Sequence, residues 1–60
     1  MTKYEEEIVE TFKRVAKENG DGASPHEVCD DMAKRGKLAE LDTVIDVADQ
    51  MKALRNRGLL

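Results

Sequence analysis

The sequence predicts an all-α domain of three helices, spanning residues 1–60 as a single tri-helical unit, and three observations predict it. Apolar residues recur at spacings of three and four in three separate stretches, the period of an amphipathic helix. The strongest breaking signals, Gly20-Asp21-Gly22, Ser24-Pro25, Gly36 and Gly58, fall between and after those stretches. Within each stretch the charges are graded, acidic near the start and basic near the end, as the helix macrodipole favours.

In the first stretch Tyr4, Ile8, Phe12, Val15 and Ala16 share one stripe, with Val9 at its edge. This helix is expected from about Thr2, a suitable N-cap, to Asn19, with Gly20 taking the left-handed conformation that ends helices without steric cost. The second start is the best defined: Ser24 as N-cap, Pro25 at the first helical position and Glu27 closing a capping box. Behind it Val28 and Met32, joined by Cys29 and Ala33, form the expected buried side of a short helix that Gly36 ends. After a linker around Lys37 to Leu41, Asp42 is the expected cap of a third helix. Its inner stripe is Val44, Val47, Ala48, Met51 and Leu54, and it closes near Arg57 with Gly58 just beyond.

A 60-residue domain buries only about 60% of the surface its unfolded chain exposes, which disfavours a deep catalytic cleft. The lone Cys29 has no intrachain partner, no apolar stretch approaches a membrane span, and no signal-peptide pattern is present. The expected compartment is the reducing cytoplasm. Ten basic against thirteen acidic residues give a net charge of −3, the reverse of the usual nucleic-acid footprint. With only Tyr4 and Phe12 aromatic, recognition of unpaired bases by stacking is disfavoured as well.

No catalytic motif emerges. His26 and Cys29 stand three apart on the second helix with Asp30 adjacent, but a structural zinc site takes four protein ligands and no second pair exists. The same Cys and His lack an orienting third group for nucleophilic catalysis. Gly20-Asp21-Gly22 lacks the strand and lysine of a phosphate-cradling loop. No metal, cofactor, membrane or small-molecule substrate is expected, and the chain is read as a non-enzyme.

From Ser24 onward the chain resembles the helix-turn-helix core of winged-helix transcription regulators. Ser24-Pro25-His26-Glu27-Val28 matches the opening of the second helix. Met51-Lys52-Ala53-Leu54-Arg55-Asn56-Arg57-Gly58-Leu59 matches the Leu-x-x-Leu-x-x-Arg-Gly-Leu-like close of the third. The resemblance covers about half the chain and implies a helix-turn-helix-like fold, a wingless winged helix, whose third helix enters the major groove. The sequence departs from that pattern at three places. It reaches Leu60 where the wing begins, and the linker from Gly36 to Asp42 is longer than the usual tight turn. The outward positions Thr43, Asp46, Asp49, Gln50 and Ala53 also bring carboxylates to a phosphate-lined groove.

Two functions follow. The first is a regulatory interaction module that docks a protein partner, or itself, through Leu41, Ile45, Asp46, Asp49 and Gln50 on the outer face of the third helix. Its premise is that Leu38, Leu41, Ile45, Leu59 and Leu60 are more apolar side chains than so small a core hides. The alternative is a small dimeric regulator binding double-stranded DNA through Thr43, Gln50, Lys52, Arg55 and Arg57, helped by Lys34, Arg35 and Lys37. Lys13, Arg14 and Lys17 would extend that basic patch, although solvated charge matching the helix C-terminal dipoles is the better account of all six of these patch cations.

Overall fold

A computed structural model describes residues 1–60: α1 (Lys3–Asn19), α2 (Pro25–Lys34) and α3 (Val44–Asn56), with no strand. Each helix packs against the other two. One core lies between them, built from Ile8 and Val9 of α1, Val28, Cys29 and Met32 of α2, and Val47, Met51 and Leu54 of α3. The predicted all-α three-helix fold is the observed one.

The helix starts follow the sequence signals at two of three places. Thr2 and Ser24 cap α1 and α2, each accepting from the backbone N–H three residues on while Glu5 and Glu27 reach back to the cap N–H. At α3 the expected cap is displaced by one residue. Thr43, in extended conformation, is the N-cap, and its backbone N–H donates to Asp46 Oδ2 at 2.8 Å. Asp42 does not cap because its carboxylate is taken elsewhere, accepting from Tyr4 Oη at 2.7 Å and Gln50 Nε2 at 3.0 Å.

The helix ends obey the glycine signals. At α2, Gly36 turns left-handed (φ 69°), its N–H bonding Ala33 O and that of Lys37 bonding Met32 O, the paired contacts of a Schellman motif. The same pair recurs at α3, where Gly58 (φ 77°) bonds Arg55 O and Leu59 bonds Leu54 O. That turn folds Leu59 and Leu60 back onto the core.

The buried stripe of α1 is rotated from the expected one. Ile8, Val9, Thr11 and Val15 are buried, whereas Tyr4, Phe12 and Ala16 are half-buried. Thr11, which periodicity of apolar residues passes over, is fully buried. On α2, Cys29 joins the core but Ala33 is exposed. On α3, Val44 and Ala48 flank the stripe half-buried.

Candidate functional site

The linker and the first turns of α3 are held by a polar node. Tyr4, projecting from α1, accepts the Ala39 N–H at 3.2 Å and donates to Asp42, which in turn accepts from Gln50 on α3. Burial, and next the bond to the Asp42 carboxylate, push the Tyr4 hydroxyl above the ordinary tyrosine range, so it remains a donor at neutral pH. The segment carrying Leu41 is thus fixed from two helices.

On that support two large apolar side chains face solvent: Leu41 is 90% exposed and Ile45 is 73% exposed. At 100° per residue Ile45 lies nearly opposite Val47, Met51 and Leu54, on the same outward face as Asp49, Lys52 and Asn56, all exposed. The other apolar candidates do not contribute, since Leu38, Leu59 and Leu60 pack against the core. Excess apolar side chain is therefore confined to Leu41 and Ile45, with Met1 the remaining exposed large apolar residue.

Asp46 and Gln50 sit on the shoulder of this face, half-buried and engaged within the chain. Asp46 accepts from the Thr43 backbone and hydroxyl, and those bonds hold its carboxyl below the usual range. Gln50 spends an amide donor on Asp42. Asp49 is exposed without a side-chain partner. The five residues expected to dock a partner thus divide into two exposed apolar anchors, one exposed carboxylate and two polar groups that brace the helix start.

The residues of the DNA alternative are dispersed and mostly occupied. Arg35 donates to Asp31 Oδ1 at 2.7 Å and to the buried Thr11 hydroxyl at 2.5 Å, and approaches Glu7 at 3.5 Å. Asp31 also receives Arg14, and these partners, the Arg35 bond first, keep its carboxyl below the usual range. Lys34 pairs with Asp30 at 3.1 Å. Arg57 pairs with Glu5 at 2.9 Å, joining the end of α3 to the start of α1. Thr43 is spent on the α3 cap. Lys37, Lys52 and Arg55 are exposed and unpaired, as are Lys13 and Lys17.

No cavity opens on the surface, and no three His, Cys, Asp or Glu side chains gather to hold a metal. His26 is exposed while Cys29 is in the core, where burial pushes its thiol above the ordinary range. No helix is long and apolar enough to cross a membrane.

Sequence reasoning missed the Arg35 hub and the Tyr4 node. A signal for the first was present: Thr11 lies three residues after Ile8 and four before Val15, on the buried stripe, and Asp31 precedes Arg35 by one helical turn. Tyr4 to Asp42 spans the chain and has no local signal. No protein family model, curated protein or solved structure matches this chain.

Proposed function

We propose that the chain is a non-catalytic interaction module that docks a protein partner through the N-terminal part of α3 and the turn before it. The observation that carries this reading is the exposure of Leu41 and Ile45 on a segment held rigid by Tyr4, Asp42 and Gln50. Apolar side chains that fold back onto a core stabilise it, and Leu38, Leu59 and Leu60 do so. Leu41 in the turn and Ile45 on the polar face of α3 leave most of their surface in water and contribute little to stability, which leaves that apolar area for a second molecule. A role in transcription regulation is compatible with this reading through the winged-helix resemblance alone.

The test is affinity capture from cells of the source, comparing the native chain with Ile45→Glu and Leu41→Asp. Both substitutions are at exposed positions and are expected to change stability by less than about 0.5 kcal/mol, checked by urea unfolding. Proteins retained by the native chain and released by both folded variants support the surface. An identical retained set with all three chains removes it.

A further inference from the structure

The electrostatics around Leu41 and Ile45 say more about what covers them, on the premise that this face docks a protein. From Leu38 to Met51 the chain carries four carboxylates, Glu40, Asp42, Asp46 and Asp49, and no Lys, Arg or His. None of the five ion pairs of the structure falls in this segment; all lie between α1, α2 and the end of α3. Asp42 and Asp46 are hydrogen-bonded, but by neutral donors of Tyr4, Gln50 and Thr43, so their charge is not cancelled. Glu40 and Asp49 are exposed and unpaired. Lys37 and Lys52 border the segment, exposed and unpaired, and Lys52 shares the outward face of Ile45, so the apolar pair sits in a field of net negative charge that these two cations offset only in part.

We infer that the occupant is a basic, apolar-anchored segment of another protein: an amphipathic stretch presenting two aliphatic side chains flanked by Lys or Arg. A second copy joined through the same face is disfavoured, because a two-fold contact brings together two faces on each of which four carboxylates outnumber the two bordering lysines, Lys37 and Lys52. A head-to-tail contact between copies lacks a matching surface. The exposed cations Lys13 and Lys17 have no exposed large apolar residue near them in sequence, Lys37, Lys52 and Arg55 border this same face and form no separate one, and Met1 precedes the acidic run Glu5, Glu6 and Glu7. With four carboxylates around the anchors, the affinity for such a segment is expected to fall as salt is added.

The experiment titrates the isotopically labelled chain with synthetic amphipathic helices of roughly 18 residues, sharing one leucine face and bearing either Lys or Glu on the other. It is read by amide chemical shifts and calorimetry. The Lys peptide is expected to shift the amides around Leu41, Ile45 and Asp49, and to bind about tenfold or more tightly than the Glu peptide at low salt. The double variant Glu40→Lys with Asp49→Lys is expected to lose about tenfold for the Lys peptide and to narrow or reverse the preference. Ile45→Glu separates the two contributions, since it adds a favourable charge while deleting the anchor; weakened binding of the Lys peptide supports an apolar contact within the charged rim.

Equal binding of both peptides, lost in Ile45→Glu, overturns the charge inference and leaves the docking face standing. Shifts confined to α1 or α2 overturn both. Binding of neither peptide overturns the inference about the occupant, while the capture comparison still judges the face. Sedimentation showing an Ile45-dependent dimer overturns it in favour of a second copy.

Discussion

Replacing Arg35 by Met separates a structural arginine from a phosphate-binding one. The substitution keeps the aliphatic stem and removes the guanidinium that joins Thr11, Asp31 and Glu7. Asp31 retains Arg14, and the lost ion pairs involve side chains about a third exposed (33% for Arg35, 29% for Asp31), so they contribute about 1 kcal/mol or less. Thr11 decides the magnitude. It is fully buried, Arg35 is its hydrogen-bonding side-chain partner, and stranding a buried hydroxyl costs about 1–3 kcal/mol. The expected loss is about 2 kcal/mol in all, against a total stability of roughly 3–9 kcal/mol for a chain of this length.

A double-mutant cycle isolates that contribution. Thr11→Val removes the hydroxyl and leaves Arg35 to Asp31, Glu7 and water, so it is expected to be nearly neutral, within about 0.5 kcal/mol. Once Val occupies the site, Arg35→Met strands nothing and costs only about 1 kcal/mol, giving a coupling of about 1 kcal/mol between the two positions. Urea unfolding followed by far-ultraviolet circular dichroism measures all four chains. Additivity within about 0.3 kcal/mol, or an Arg35→Met variant as stable as the native chain, refutes the hub. If Arg35 instead serves to grip DNA, its loss flattens the salt dependence of binding by about one counterion and leaves stability unchanged.

Three further outcomes follow from the same structure. Ser24→Ala is expected to destabilise by about 1 kcal/mol and Ser24→Gly by only a few tenths, measured by the same unfolding assay, because glycine is the better substitute at an N-cap. Glu5, Glu27, Asp31 and Asp46 all have carboxyl groups held below their ordinary range. The capping backbone donors come first in holding Glu5, Glu27 and Asp46, and Arg35 in holding Asp31. Their contribution is present above the unfolded-state values and is lost as pH falls through the depressed folded ones. The melting temperature is therefore expected to change little from about pH 7 to 5 and to drop below about pH 4; a flat profile to lower pH contradicts the capping roles. Cys29, buried and with its thiol shifted upward, is expected to react with a thiol reagent at neutral pH only as fast as the domain opens, so labelling should accelerate in step with added urea.

The elements were legible in the sequence wherever their causes are local. Ser24-Pro25 with Glu27, and the glycines at 36 and 58, set helix boundaries through bonds made within a few residues, and periodicity placed Val28, Met32, Val47, Met51 and Leu54 in the core. What was not legible depends on partners distant in sequence. Asp42 is as good a cap as Thr43 on local grounds, and it loses that role because Tyr4 and Gln50 claim its carboxylate. The stripe of α1 turned because Thr11 finds a donor in Arg35, twenty-four residues away, and so tolerates burial that its polarity argues against. At the candidate site the surplus of apolar residues was visible in advance, but which of the five stay outside was not. That is decided by the Schellman turn at Gly58, which returns Leu59 and Leu60 to the core, and by the Tyr4 node, beside which Leu41 stays exposed.

The same contacts bear on the DNA alternative. A groove-reading third helix needs free cations near its leading end, and here the arginines at 14, 35 and 57 each meet a carboxylate of another helix, while Lys34 meets one of its own. Part of the positive charge is thus consumed in joining the helices. The carboxylates left without a cation include all four between Glu40 and Asp49, around the leading turns of α3. A phosphate backbone approaching there meets a net repulsion that Lys52 offsets only in part, whereas a basic protein segment meets attraction together with two aliphatic anchors. Charge reversal at the leading end of α3 separates the cases by sign. Added salt weakens both a basic partner and DNA held through Arg55 and Arg57, whereas Asp49→Lys is expected to weaken the basic partner and to strengthen DNA.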